Sequence, residues 1–225
     1  ATVAELPDGS RRTWTPRPDS DGPHLVCTRV HQTPWEALPS GSLLAQNGLG
    51  QPLPGLAPFL AVDRDADGVL RACTPPRLVL PRLPEVWNAV IAAWRGCGIA
   101  VEVVDDVRPA RFEKAVLNAT VGPLCRATCW TMAAVWANPG LRQLALDATA
   151  EGEALAGRLG LALPPGLIAR ATAFFDRCGA HRPSVVRDAG ELPWILGHLL
   201  DRARETGLAV PALTRIADLA AGVQR

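Results

Sequence analysis

The sequence lacks the features that direct a chain to a membrane or to nucleic acid. It has no apolar run of the roughly 18 to 20 residues that a membrane-spanning helix requires, and its amino terminus lacks the basic, apolar and small-residue order of a signal peptide. The 23 Lys and Arg residues nearly balance the 22 Asp and Glu residues, and no basic block could follow a phosphate backbone or an anionic bilayer. These absences predict a cytoplasmic protein with no nucleic acid or membrane partner.

The sequence also lacks a metal-binding pattern. Its six cysteines are scattered without a C-x-x-C pair, and none of the four histidines completes a zinc set. Cys125 and Cys129 are four residues apart on a predicted helix. We expect the cysteines to pack as small apolar residues in a reduced core, with a regulatory disulfide or a reactive thiol as the alternative. The sequence therefore predicts no metal site.

Lysine is almost absent, because Lys114 is the only lysine among the 23 basic residues. In a sequence so rich in Arg, Ala, Pro and Leu, we expect arginine wherever only a positive charge is needed. A retained lysine is a candidate for chemistry that arginine cannot perform, since a buried lysine can give up a proton whereas arginine stays protonated. Retention by chance is the alternative.

What is present is a globular composition, with 48% apolar residues in a chain of 225, long enough for one large or two modest domains. The first hundred residues contain short apolar runs between turns. They predict strands at 2–6 and 11–16 around a PDGS turn, at 24–30 and 42–47, three strands within 60–82, a short helix after Thr33, a helix at 84–97 and a strand at 98–106.

From about residue 108, apolar residues recur at intervals of three and four, which predicts helices. These helices cover 108–124, 138–160, 164–179, 191–207 and 212–225. The predicted fold class is α/β followed by all-α, with an α/β domain over 1–107 and a helical domain over 108–225.

Three segments of the helical half resemble consecutive blocks of the ketopantoate reductase family: FEKAVLNATVGPL, HRPSVVRDAGELPWILGHLL and TGLAVPALTRIADL. In the first half, LVCTRVHQTPWEAL looks like the family's strand and Lys-Ala-x-Gln turn, and LLAQNGLGQ looks like its Gln-Asn-Gly-x-Gly strand end. The resemblance implies a Rossmann-like sheet domain, a helical domain of the 6-phosphogluconate dehydrogenase type, and an active site in the cleft between them.

The resemblance also implies an acid-base site. Lys114 falls on the family's lysine that protonates the carbonyl oxygen as hydride arrives, and Asn118, one helical turn later, falls on the asparagine that positions the substrate. Glu191 matches the glutamate that binds the hydroxyl side of the substrate, and Ser184 matches a serine that contacts its carboxylate. The structural alternatives are a solvated pair of Lys114 with Glu113, a surface position for Asn118, and helix capping by Glu191 or Ser184.

Further positions of the resemblance concern the cofactor. Asn47 matches the asparagine that bridges cofactor and substrate, although with Gly48 it could form only a turn. Arg29 and Gln32 occupy the Lys and Gln positions that face the cofactor. Glu151 falls on a helix glutamate near the catalytic lysine, and for this residue we favour a structural role.

The sequence departs from the family on the cofactor side. A dinucleotide fold opens with a strand and a G-x-G-x-x-G turn that holds the pyrophosphate, whereas this sequence begins where a family member is some sixty residues along. Gly122 stands where a second asparagine is expected, and the segment from 184 to 191 is several residues shorter. Pro193 replaces an acid and Leu196 an asparagine, which makes ketopantoate a doubtful substrate.

Three hypotheses remain. The first is a repurposed enzyme that performs a non-redox acid-base step, such as isomerisation, dehydration or cyclisation, on a small carbonyl compound of a biosynthetic pathway, with no cofactor and as a homodimer. The second is an NADPH-dependent 2-keto acid reductase whose amino-terminal segment is missing or supplied by another chain, which the retention of Arg29, Gln32 and Asn47 favours. The third is a non-catalytic dimeric binding protein.

Overall fold

A computed structural model describes residues 2–5, 11–14, 23–27, 29–33, 35–38, 41–51, 54–64 and 66–222. The predicted PDGS turn and the end of the last predicted helix, 223–225, lie outside these residues. No helix among them is long and apolar enough to cross a membrane.

The chain divides into two compact units. The described residues up to 27, from 35 to 46 and from 54 to 107 form the first unit, and those from 108 onward form the bulk of the second. Two short segments, 29–33 and 47–51, group with the second unit, whereas the sequence assigned them to the first predicted domain. These segments contain Arg29, Gln32 and Asn47, so all of the predicted site residues belong to one unit.

The first unit contains three small sheets. A four-stranded sheet has the order β2-β1-β7-β6, a two-stranded parallel sheet joins β3 and β4, and a three-stranded sheet has the order β5-β8-β9. The strands are β1 (Thr2–Glu5), β2 (Arg11–Trp14), β3 (Leu25–Val26), β4 (Leu43–Leu44), β5 (Ala57–Phe59), β6 (Val62–Arg64), β7 (Leu70–Ala72), β8 (Arg77–Pro81) and β9 (Ala100–Val104).

A β-α-β unit supports the core of this first unit. Strands β8 and β9 are parallel and are connected through helix α1 (Asn88–Gly96), as the alternation of strand and helix patterns requires. Trp87 and Ile91 pack with buried leucines of the sheets. This arrangement is the Rossmann-like part of the fold that the sequence predicted.

Two predicted strands are much shorter than expected. The run 24–30 forms strand only at β3, because the chain turns into a 3-10 helix at Val30–Gln32. The run 42–47 forms strand only at β4, since the chain leaves the sheet and reaches Gly48, whose φ is +90°. Strand β5, which the sequence analysis did not predict, pairs antiparallel with β8.

The second unit is helical, and its longest helix, α2 (Arg108–Thr128), is buried along most of its length. The other helices are α3 (Met132–Ala137), α4 (Pro139–Arg158), α5 (Leu167–Arg177), α6 (Ser184–Arg187), α7 (His198–Glu205) and α8 (Pro211–Ala221). Helix α4 approaches α2 closely at Gly152, where a Cβ atom would lie 2.6 Å from Val116. The side chain of Asn138 caps α4 by accepting a hydrogen bond from Leu141 N at 3.0 Å, a typical N-cap interaction.

The helix predicted over 191–207 is present from 192 to 205, but it is not a regular α-helix. The chain instead forms a 3-10 turn at Ala189–Glu191, a π-helical turn at Pro193–Gly197 and then α7. Pro193 has no backbone N–H, and the carbonyl of Trp194 accepts a hydrogen bond from the distant Leu49 N at 3.3 Å. The backbone N–H of His198 bonds to Pro193 O, which is the spacing of a π turn, and π turns are common at functional sites.

Candidate active site

Helix α2 places the single lysine in an apolar environment. Lys114 is 8% exposed, and its ammonium lies 5.5 Å from the centroid of the Phe174 ring. Among the described residues, no hydrogen bond or ion pair joins this ammonium. Desolvation lowers the pKa of Lys114 from its ordinary 10.5 to about 8, while an electrostatic interaction with Cys178 acts in the opposite direction. Loss of water is the dominant cause because burial penalises the charged form.

The neighbouring carboxylate does not neutralise Lys114, because it is already paired. Glu113 is 3% exposed and accepts two hydrogen bonds from Arg170 of α5, at 2.9 and 3.0 Å. Arg170, Phe174 and Cys178 are spaced at four-residue intervals, so they follow one face of α5. The alternative of a solvated Glu113–Lys114 pair is therefore wrong.

Two asparagines link helix α2 to the loop at 47–51. Asn118, half-buried one turn after Lys114, donates to Asn47 Oδ1 at 2.8 Å. Asn47 donates through its own amide to Ser184 Oγ at 3.4 Å. The structure thus brings together Asn118, Asn47 and Ser184, and Asn118 is not simply a surface residue.

The hydrogen-bonded chain ends at a buried carboxylate. Glu191 is 5% exposed and accepts a short hydrogen bond from Ser184 Oγ. Ser184 is the first residue of α6, and Pro183 rather than Ser184 holds the capping position. The Ser184 side chain therefore serves the carboxylate and does not cap the helix.

Two basic side chains contact a second carboxylate, Asp188, and one of them also lies near Glu191. Arg29 lies 2.5 Å from Asp188 Oδ2 and 3.9 Å from Glu191 Oε1, and His31 Nε2 lies 3.2 Å from Asp188 Oδ2. The ring of His31 packs against Gly190, where a Cβ atom would lie 2.7 Å from it. Sequence analysis missed Asp188 and His31, and its only available signal was the D-x-G turn that precedes Glu191.

The loop at 47–51 packs against the π-helical turn. A Cβ atom at Gly48 would lie 2.3 Å from the carbonyl oxygen of Trp194, and one at Gly50 would lie 2.6 Å from the ring of His198. Gln51 donates to Asn47 O at 2.9 Å and accepts from Arg111. Asn47 is therefore part of a turn with Gly48, which was the structural alternative for this residue. That turn also positions the Asn47 side chain.

Three other positions stand apart from this cluster. Gln32 is exposed, and its backbone N–H bonds to Arg29 O at 2.9 Å. Glu151 accepts hydrogen bonds from Ala212 N and Leu213 N, at 2.8 and 2.9 Å, and so caps α8, in agreement with the structural role that we favoured. A Cβ atom at Gly122 would lie 3.3 Å from Val185, so α6 fills the space where the family's asparagine is expected.

Two of the segments that face the cofactor in the resemblance make contacts within the protein. In the 47–51 loop the N–H of Leu49 donates to Trp194 O at 3.3 Å, and an added Cβ atom at Gly48 or Gly50 would meet Trp194 or His198. The guanidinium of Arg29 is held by Asp188 and lies near Glu191. The Arg29 guanidinium and the 47–51 loop thus both contact other residues of the protein.

Comparison with solved structures defines the class of fold. A ternary structure of D-mandelate dehydrogenase with NADH and anilino(oxo)acetate aligns with a TM-score of 0.75 at 17% identity, covering 98% of this chain and 84% of that chain. A dimeric ketopantoate reductase from Staphylococcus aureus aligns with a TM-score of 0.72 at 16% identity, covering 98% and 85%. The fold is that of the ketopantoate reductases and related dehydrogenases, which confirms the predicted class.

Sequence comparison identifies the family. The model of the ketopantoate reductase PanE/ApbA carboxyl-terminal domain matches residues 106–224, more than half of the chain. A 2-dehydropantoate 2-reductase from Mesorhizobium japonicum is 28% identical over 211 residues, covering 85% of this chain. The chain belongs to the ketopantoate reductase family, and it spans 63% of the length of that relative.

Proposed function

We propose that this protein catalyses a non-redox acid-base step on a small carbonyl compound, with Lys114 as the group that exchanges a proton with the carbonyl oxygen. The observation that carries this proposal is the buried ammonium of Lys114, which has no carboxylate partner among the described residues and a pKa of about 8. A group with a pKa near the working pH can both donate and accept a proton efficiently.

The remaining residues supply the other half of the reaction. The amides of Asn118 and Asn47, joined at 2.8 Å, would orient the carbonyl oxygen beside the lysine. Glu191 would take a proton from the carbon next to the carbonyl, while Lys114 protonates the oxygen to give an enol. Return of the proton to a different carbon is an isomerisation, and loss of a β-hydroxyl group is a dehydration. Attack by an internal nucleophile would be a cyclisation.

Two contacts support the non-redox form of the proposal. Arg29, at a position that faces the cofactor in the family, is held at 2.5 Å from Asp188. Trp194 and His198 occupy the space that a side chain would need at Gly48 and Gly50 in the 47–51 loop. Arg29 therefore contacts the carboxylate side of the site, where we place the proton acceptor Glu191.

Exchange of carbon-bound hydrogen tests the proposal. We expect the wild-type protein to exchange the C3 protons of 2-oxobutanoate for deuterium in D₂O, as followed by proton NMR. Lys114→Arg keeps the charge but cannot release a proton, so its exchange should be at least about 100-fold slower. An unchanged rate in the arginine variant, with the fold intact by circular dichroism, would refute proton transfer by Lys114.

A reductase is the second candidate, favoured by Arg29, Gln32 and Asn47 at cofactor-facing positions and by the NADH that the D-mandelate dehydrogenase relative binds. Titration with NADPH, followed by its fluorescence, separates the two functions. Saturable micromolar binding together with oxidation of NADPH by a 2-oxo acid would favour reduction. Exchange without such binding would favour the non-redox step.

We also propose that the protein forms a homodimer, because the ketopantoate reductase from Staphylococcus aureus with the same fold is dimeric. Sedimentation analysis of the purified chain tests this directly. A monomer at micromolar concentration would contradict it.

A further inference from the structure

We propose that Lys114 is also a nucleophile, whose amine condenses with the substrate carbonyl to form a Schiff base during the proton transfer. This inference rests on the proposed function, because it names how the carbonyl compound is activated. It adds a covalent intermediate to a site whose lysine was assigned only the exchange of a proton.

A lysine can attack a carbonyl only when its amine is uncharged, so a carboxylate partner that holds it charged would prevent the reaction. The carboxylate nearest in sequence, Glu113, is committed to Arg170 through two hydrogen bonds at 2.9 and 3.0 Å. The ammonium of Lys114 instead faces the Phe174 ring at 5.5 Å. Helix α5 therefore pairs Glu113 with Arg170 and places the apolar ring of Phe174 beside the Lys114 ammonium.

The surroundings of Lys114 increase the fraction of its amine that is uncharged, compared with a lysine in water. The ring of Phe174 attracts the cation weakly, and Cys178 also favours the charged form, but desolvation is the larger effect and leaves the pKa at about 8. About a tenth of the amine is then uncharged at pH 7, compared with less than about a thousandth for an ordinary lysine. The reactive fraction is therefore raised more than a hundredfold.

The reaction balances without an oxidant or a reductant. The amine nitrogen bonds to the carbonyl carbon as the π electrons move to oxygen, which takes a proton from that nitrogen to give a carbinolamine. Loss of the hydroxyl group as water, with one proton taken from solvent, forms the iminium ion, and loss of a proton from the adjacent carbon to Glu191 forms an enamine. Reprotonation of carbon and addition of water release the product and restore the amine.

The single lysine makes the intermediate easy to locate. The purified protein is incubated with pyruvate or with acetone in the presence of sodium cyanoborohydride, which reduces an imine to a stable secondary amine. Trypsin cleaves after Lys114 only when its amine is free, so a modified chain yields the intact peptide 112–126 with the added mass. The α-amine at the start of the chain provides an internal standard for labelling of an ordinary amine.

We expect modification of peptide 112–126 with at least one of the two probes, at a rate that rises with pH through about 8, and no such modification in Lys114→Arg. Labelling of the α-amine alone, with both probes, would overturn the Schiff-base inference. The deuterium exchange of the same samples, measured without cyanoborohydride, reports the proposed function separately. Exchange without trapping would leave proton transfer intact and exclude the covalent intermediate.

Discussion

The surroundings of Lys114 and those of Glu191 differ in how each buried charge is treated. Lys114 is 8% exposed and Glu191 is 5% exposed, so burial alone does not distinguish them. The carboxylate receives a hydrogen bond from Ser184 and has Arg29 at 3.9 Å. The ammonium has no hydrogen-bond or ion-pair partner among the described residues and faces the ring of Phe174.

The difference is that the carboxylate has partners within the protein, whereas the ammonium has none among the described residues. A buried ion that is paired and hydrogen-bonded keeps its charge, whereas an unpaired one is driven toward its neutral form. Lys114 is therefore the group whose protonation burial changes, while Ser184 donates a hydrogen bond to Glu191 and Arg29 lies near it.

The largest expected effect is on the dependence of stability on pH. The folded-state pKa of Lys114 is about 8, against an ordinary value of 10.5, so between these values the unfolded chain binds more protons. Stability should therefore rise with pH across this window, and at pH 7 the charged lysine should cost on the order of 3 kcal/mol. Urea unfolding of the wild type and of Lys114→Met at several pH values measures this difference.

The wild type and the methionine variant share all six cysteines and the absence of tyrosine, so their difference isolates the lysine. We expect Lys114→Met to be the more stable protein at pH 7, with the gap closing toward pH 10.5. A constant gap across this range would contradict the unpaired state of Lys114.

The next expected effect concerns the carboxylate. Glu191→Gln keeps an oxygen that can accept from Ser184 but removes the proton acceptor, so deuterium exchange should fall about 100-fold, or about 2.7 kcal/mol. Asp188→Asn is the control, because it weakens the pairing of Arg29 and leaves Glu191 in place, and it should slow exchange less. Equal losses would show that the charge network acts as a unit.

A smaller effect should follow from breaking the pair that keeps Glu113 away from Lys114. Arg170→Ala leaves a buried carboxylate without its cation, and because the Arg170 side chain is 30% exposed we expect a loss of about 2 kcal/mol, below the range for fully buried pairs. Arg202→Ala breaks an exposed pair with Glu205 on α7 and should cost less than about 1 kcal/mol. Urea unfolding of the two variants compares them, and similar losses would contradict a buried role for Arg170.

The smallest effect tests the loop that carries Asn47. Gly48 and Gly41 have φ angles of +90° and +81°, so alanine is strained at both positions. Only Gly48→Ala also meets the Trp194 carbonyl, at 2.3 Å, and it should cost about 1 kcal/mol more than Gly41→Ala. It should also slow deuterium exchange because Asn47 shifts, whereas Gly41→Ala should leave exchange unchanged.

Much of the helical unit could be predicted from the sequence. Helices α2, α4, α5 and α8 follow the predicted segments because their apolar residues recur at helical spacing, and Asn138 and Pro139 mark the start of α4 through a local cap. The short helices α3 and α6 were missed because one turn carries too little periodicity. The family resemblance, read from three helical blocks, was confirmed by the match over 106–224.

The sequence predicted less of the site's geometry. It named Lys114, Asn118, Asn47, Ser184 and Glu191, but no spacing rule indicated that Arg29 pairs with Asp188 or that His31 joins them. The Trp194 carbonyl of the π-helical turn accepts a hydrogen bond from Leu49 N, which lies far away in sequence. Interactions of this kind are invisible to local periodicity.

The sequence by itself determined which groups are available: one lysine, the asparagine one turn later on the same helix, and the carboxylates that precede the π-helical turn. The tertiary structure decided which of these charges has a partner. Lys114 is buried, with the ring of Phe174 on α5 facing its ammonium, and Glu113 is paired with Arg170, which is distant in sequence. A pKa depends on solvation and on the nearest charges, and both are set by residues that the chain brings together only when it folds.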